Sequence, residues 1–175
     1  MSITSKIEEI KSQLPEGVQL VAVSKFHAEE TILEAYNGGQ RIFGESRVQE
    51  LTGKYDQLPK DIEWHFIGHL QTNKVKYIAP FIHLIQSVDT LKVLDEINKQ
   101  AALFSRIIPV LIQVHIAQEE HKFGFSIQET EAFFRTNWKE NYPNIRFDGL
   151  MGMATFTDDQ QQVASEFESL ANLFN

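Results

Sequence analysis

The sequence predicts an α/β fold on a parallel sheet, either doubly wound or closed as a barrel, and three observations predict it. Strands and amphipathic helices alternate strictly, giving six βα units after an N-terminal helix, with no linker, low-complexity tract or repeated motif among them. The strands read as near-continuous apolar runs: Gln19 to Val23 carries too few polar residues for a wet face, which suits parallel strands buried on both sides. Gly44, Gly68, Gly124 and Gly152 fall at or soon after strand ends, the rim that both architectures use for ligands.

Taken in order, Ile3, Ile7, Ile10 and Leu14 recur at helical spacing, and Pro15-Glu16-Gly17 stops that helix before the first strand, Gln19 to Val23. Ile32, Leu33 and Tyr36 share one side of the next helix, which Gly38-Gly39 ends. Arg41 to Phe43 is a short strand, Gly44-Glu45 its turn, and Ser46 with Gln49 reads as a capping box for a helix through Val48, Leu51 and Tyr55. Glu63 to Ile67 is the third strand, followed by a turn over 68–71 and a helix from Thr72 to Ala79 that Pro80 halts. His83 to Ser87 is the fourth strand, and Asp89 or Thr90 caps the helix carrying Leu91, Leu94, Ile97 and Ala101. Pro109 to Val114 is the fifth. After a longer loop, Ser126 and Glu129 form a second capping box. The sixth strand is Ile145 to Leu150, and Thr157 to Gln160 opens a last helix through Val163, Phe167, Leu170 and Phe174.

The 175 residues fit a single domain, residues 1–175, and carry a formal net charge of -8. That acidic balance argues against a nucleic-acid partner. The absence of cysteine excludes thiol catalysis, disulfides and cysteine-bound metal. No signal-peptide pattern opens the chain, and no apolar run approaches the roughly 20 residues of a membrane helix. A cytoplasmic protein with no membrane partner, and a monomer, is the expectation.

Lys25 stands where a buried strand hands over to a loop. Its ordinary pKa is about 10.4, and desolvation at such a place lowers it and frees the amine to attack a carbonyl; a snorkelling surface lysine is the competing reading. The turn from Gly68 through Gln71, Asn73 and Lys74 resembles an anion site at a helix start, or simple capping by Thr72 or Asn73. His65 and His69 stand four apart, but on a strand and turn that spacing does not bring two imidazoles to one metal, so no metal site is expected. His65 reads as a hydrogen-bonded histidine at the sheet edge or in the pocket. Glu45 either faces a pocket or balances the dipole of the following helix. Lys122 lies in the longest strand-to-helix loop and reads first as solvated, and Met151 as packing first and pocket wall second.

The order of these stretches carries more than any one of them. Val21-Ala-Val-Ser-Lys25, Phe43-Gly-Glu-Ser-Arg-Val-Gln-Glu50, Trp64-His-Phe-Ile-Gly-His-Leu-Gln-Thr-Asn-Lys74, Ser87-Val-Asp89, Lys122-Phe-Gly-Phe125 and Gly149-Leu-Met-Gly-Met153 stand in sequence, and over essentially the whole chain they resemble the pyridoxal phosphate homeostasis proteins. The resemblance implies a TIM-type (β/α) barrel of the alanine racemase N-terminal domain type, here with about six βα units and therefore incomplete. It implies pyridoxal 5'-phosphate as cofactor, held as a Schiff base on Lys25, with Ser46, His65 and Met151 at the cofactor and Glu45, Gln71, Asn73, Lys74 and Lys122 in support. Ser46 stands where the family usually has Asn, and His115 likewise. Family members continue with a seventh and an eighth unit that supply most of the phosphate site, so C-terminal units are expected to be missing and cofactor retention weak. The implied role is a carrier or buffer of the cofactor serving apo-enzymes, with no catalytic residue assigned. The alternatives are an amino-acid racemase on the same fold, which needs a second base from a separate domain, and a doubly wound binding module in which Lys25 is incidental.

Overall fold

The computed structural model describes residues 2–118 and 123–174. Lys122 lies outside the described residues. Six strands, β1 (Ala22–Val23), β2 (Ile42–Glu45), β3 (Glu63–Phe66), β4 (Leu84–Val88), β5 (Ile108–Val114) and β6 (Ile145–Gly152), pair in parallel in the order of the sequence. A doubly wound sheet reverses its strand order partway; a sequential order with right-handed crossovers puts the helices on one face, as in a barrel. The sheet is an arc of such a barrel, with β1 and β6 at its two edges.

The helices are α1 (Ile3–Gln13), α2 (Glu29–Asn37), α3 (Val48–Gln57), α4 (Val75–Ile78), α5 (Leu91–Leu103), α6 (Ile127–Phe134), α7 (Trp138–Asn141) and α8 (Gln160–Phe174). Between sheet and helices lies the core, where Phe43, Trp64, Phe66, Ile85 and Val110 meet Leu51, Leu58, Val75, Ile78, Leu94 and Ile97. Strand alternation sends Ile42, Glu63, Ile67, Leu84 and Gln86 to the opposite face, where they are only half-buried. The expectation of strands buried on both sides therefore holds for one face.

Several expected elements form as read. Ser126 and Glu129 make both hydrogen bonds of the capping box at α6, and Thr90 caps α5 by accepting from Val93 N–H. Others differ. The first strand is two residues long rather than five, because Leu20 C=O is taken by the Gln40 side-chain amide at 2.9 Å and not by a neighbouring strand. The Ser46–Gln49 box does not form: α3 begins at Val48 with Arg47 as an uncapped N-cap, and the Ser46 backbone is packed against Gly68. The helix expected over Thr72 to Ala79 is a 3-10 turn (Thr72–Lys74) running into the short α4. The short helix α7 was not expected at all. Its Trp138 joins Phe133, Phe134 and Tyr142 around Phe147, so an aromatic cluster anchors it rather than an amphipathic repeat.

Candidate functional site

The ladder between β1 and β2 runs one residue past β1, through Ser24 N–H to Gly44 C=O at 3.0 Å. Ser24 then turns its hydroxyl towards the helices, donating to Glu45 Oε1 at 2.7 Å. Alternation assigns the next residue, Lys25, to the other face at the C-terminal ends of the strands. Lys25 is exposed, as the surface reading has it and not the desolvated one, and its side chain makes no hydrogen bond or ion pair among the described residues. Phe26 follows in the left-handed region at φ 67°, which is uncommon for a residue with a side chain.

Beneath this segment lies a buried ionic cluster. Lys54 of α3 donates to Glu45 Oε1 and Glu50 Oε1, each at 2.7 Å, and to Ser24 C=O at 2.8 Å. Glu50 Oε1 also accepts Phe26 N–H at 2.7 Å. The side chains of Glu45 and Lys54 are 0% and 5% exposed. Burial works to lower the Lys54 pKa, but its bonds to Glu45 and Glu50 outweigh burial and raise it. The bond from Lys54 holds Glu50 below the usual carboxylate range, against a smaller opposing effect of burial. Of the two readings of Glu45, neither describes it: strand parity turns it to the helix face, into this cluster. Lys54 was not singled out in the sequence. Its signal is a Glu50–Lys54 pair at i, i+4 with the lysine placed between Leu51 and Leu58 on the apolar side of α3.

A second group surrounds the turn after β3. Ser46, Arg47, His69, Gln71 and Lys74 line a cavity of about 200 Å³, so three expected residues, Ser46, Gln71 and Lys74, come together there. Asn73 is exposed and outside that lining. His69 Nδ1 lies 2.7 Å from Asp89 Oδ2, with its ring stacked on Phe123 at 4.0 Å between centroids. His69 and His65 have separate partners. His65 instead lies on the half-open face of β3, with Nδ1 2.8 Å from Gln86 Nε2 and its ring parallel to that of His83 at 5.6 Å. Burial, and secondarily His83, pushes its pKa down to about 4. Glu63, His65 and His83 bring ligand atoms within 4.8 Å of one another, although parallel imidazole planes do not aim their lone pairs at one point. Met151 is half-buried in β6, in register with Gln113 of β5.

Two glycines shape the rim. A Cβ on Gly44, the partner of Val23, would stand 3.1 Å from Val21 Cγ1 and Ile67 Cδ1, so the missing side chain lets Val21 and Ile67 close over the β2 backbone on the face to which Lys25 is assigned. A Cβ on Gly68 would fall inside the Ser46 carbonyl, so only glycine lets the turns after β2 and β3 touch. No described helix is long and apolar enough to cross a membrane.

The alanine racemase N-terminal domain family matches residues 1–175. The pyridoxal phosphate homeostasis protein of Vibrio alginolyticus is 36% identical over 98% of this chain and 79% of its own length, and that of Aquifex aeolicus 38% identical over 89% and 68%. Among solved structures, PipY of Synechococcus elongatus without PLP superposes with a TM-score of 0.92 at 30% identity, covering 98% of this chain and 80% of PipY; PipY with PLP bound gives 0.85, covering 98% and 82%. With its sequential parallel strands and the ordered motifs at their ends, the chain belongs to the pyridoxal phosphate homeostasis protein family, on the fold of the alanine racemase N-terminal domain.

Proposed function

We propose that this protein binds pyridoxal 5'-phosphate, holds it as a Schiff base on Lys25, and carries or buffers it, as a monomer, for apo-enzymes within intracellular vitamin B6 homeostasis. The observation that carries the reading is Lys25 itself: an exposed primary amine without a side-chain partner among the described residues, on the strand-end rim. The residues fit the group. An aldehyde needs an uncommitted amine, and Lys25 presents one on the strand-end rim, with the apolar side chains of Val21 and Ile67 over Gly44 on the same face. The relatives named for pyridoxal phosphate homeostasis and the PLP-bound PipY support the same ligand.

The cofactor supplies an electrophilic aldehyde. The neutral ε-amine of Lys25 adds to its carbon, and loss of water leaves a carbon–nitrogen double bond. Ser46, Gln71 and Lys74, gathered in the neighbouring cavity, are the polar side chains offered to the rest of the ligand, with His65 and Met151 further along the same sheet.

Titration with pyridoxal phosphate, followed by borohydride reduction and peptide mass analysis, tests the site. The expected result is one stable adduct on Lys25, absent from Lys25→Ala. An adduct on another lysine overturns the assignment. Amino-acid racemisation that disappears in Lys25→Ala overturns the carrier role, and sedimentation at a dimer mass overturns the monomer.

A further inference from the structure

We propose that Glu50 and Lys54 are positioning residues for Lys25, fixing the direction of its backbone by gripping the residue on either side of it. The inference rests on the Lys25 reading above and assigns a role to two residues that act on Lys25 only through its neighbours in the chain.

Lys25 is the one residue of the segment 24–26 that the cluster leaves alone. On its N-terminal side, Ser24 is held twice, through its carbonyl by Lys54 at 2.8 Å and through its hydroxyl by Glu45 at 2.7 Å. On its C-terminal side, Phe26 N–H is held by Glu50 at 2.7 Å. Lys54 bonds to both carboxylates and so ties the two grips into one unit. A longer strand would make such help unnecessary, but β1 is two residues long and has a neighbour on one side only. Beyond the last ladder bond at Ser24 N–H, the segment is held by the turn bond from His27 N–H to Ser24 C=O at 3.1 Å and by side chains from β2 and α3.

Phe26 shows that the grip works against a preference of the chain. A non-glycine residue at φ 67° is held in a conformation it does not favour, and the bond from its N–H to Glu50 opposes its relaxation together with the turn bond from His27 N–H to Ser24 C=O at 3.1 Å. Relaxation there would free the peptide between Lys25 and Phe26, and with it the φ and ψ of Lys25 that set where its side chain leaves the chain. A lysine side chain has four flexible carbons, so the direction in which it leaves the backbone decides how often its amine meets a bound aldehyde. Misplacement by about 1 Å costs on the order of a hundredfold where two groups must react. Apolar packing would not replace this device, because a carbonyl and an N–H must be held by directional partners.

The test begins without any ligand. Amide hydrogen exchange at Phe26 is expected to quicken by about tenfold or more in Glu50→Ala and to stay near the parent rate in Glu50→Gln, which keeps an acceptor oxygen. Pyridoxal phosphate capture at Lys25 is expected to slow by about tenfold or more in Glu50→Ala, with the adduct still on Lys25, and Lys54→Arg is expected to capture faster than Lys54→Met. In a Phe26→Gly background the left-handed conformation is no longer disfavoured, so Glu50→Ala is expected to lose most of its effect on capture. Folded variants with parental exchange at Phe26 and parental capture overturn the proposal, as does an undiminished Glu50→Ala effect in the Phe26→Gly background. Should Lys54→Met fail to fold, the Glu50 pair still decides, because Glu50 is 22% exposed and its loss is better tolerated. Failure of the Lys25 reading looks different: adduct formation would survive Lys25→Ala, while the exchange result at Phe26 would be unaffected.

Discussion

The imidazole of His69 and the carboxylate of Asp89 meet at 2.7 Å, between a largely exposed ring and a side chain only 1% exposed. Among the described residues Asp89 Oδ1 is buried without a partner, so the Nδ1 contact is the one side-chain hydrogen bond Asp89 makes there. In neutral His69 the proton therefore sits on Nδ1 and Nε2 carries the lone pair, as nitrogen-15 chemical shifts will report. Asp89→Ala should lose about 1.5–3 kcal/mol, a fall in Tm of roughly 3–12 °C by calorimetry.

The stability of the fold should depend on pH through His65. The unfolded imidazole titrates near 6.5, while burial, helped by His83, depresses the folded value to about 4. Between those values the unfolded chain binds a proton that the folded chain refuses. The contribution is thus fully present above about pH 6.5 and is lost progressively as pH falls to 4, to a total of about 3 kcal/mol. Urea midpoints measured between pH 7 and pH 4.5 should fall less steeply in His65→Gln.

Breaking the Glu45–Lys54 pair from one side should be costly. Lys54→Met leaves a carboxylate with 0% side-chain exposure facing an apolar group, and about 3–5 kcal/mol is expected in urea unfolding. The double variant Lys54→Met with Glu45→Gln should recover a large part of that loss. A double variant no more stable than the single one would mean that the cost comes from packing and not from the stranded charge.

Gly68→Ala places a methyl group inside the Ser46 carbonyl, and backbone, unlike a side-chain tip, cannot rotate aside. A loss of about 2 kcal/mol or more is expected, with faster amide exchange at Ile67, whose N–H donates to Glu45 C=O at 2.9 Å. Gly53→Ala, in the middle of α3 where nothing lies within 4 Å of the added carbon, should be neutral or stabilising by up to about 1 kcal/mol.

Much of this was legible from residue order. Alternation of strand and helix fixes the sheet, and Ser126, Thr90 and Gly39 mark helix ends where the structure has them. Lys25 could be found because it ends an apolar run and stands first among the strand-end motifs. Lys54 could not be separated from the other lysines by type, since its placement matters only once β2 and α3 are packed. Glu45 was visible, but its direction depends on strand parity, which a turn assignment at Gly44 concealed. The doubly wound alternative stayed open because strand order within a sheet leaves no mark on local sequence.

The sequential strand order also bears on how the molecule forms. Among the described residues each strand hydrogen-bonds to its neighbours in sequence, as when Ser24 reaches Gly44 twenty positions on, so strand pairing in the sheet waits for no distant segment. A nascent chain can therefore add one βα unit at a time in the direction of synthesis. The loop bearing Lys25 is made before α3, yet it acquires its shape only after α3, one unit later, delivers Glu50 and Lys54.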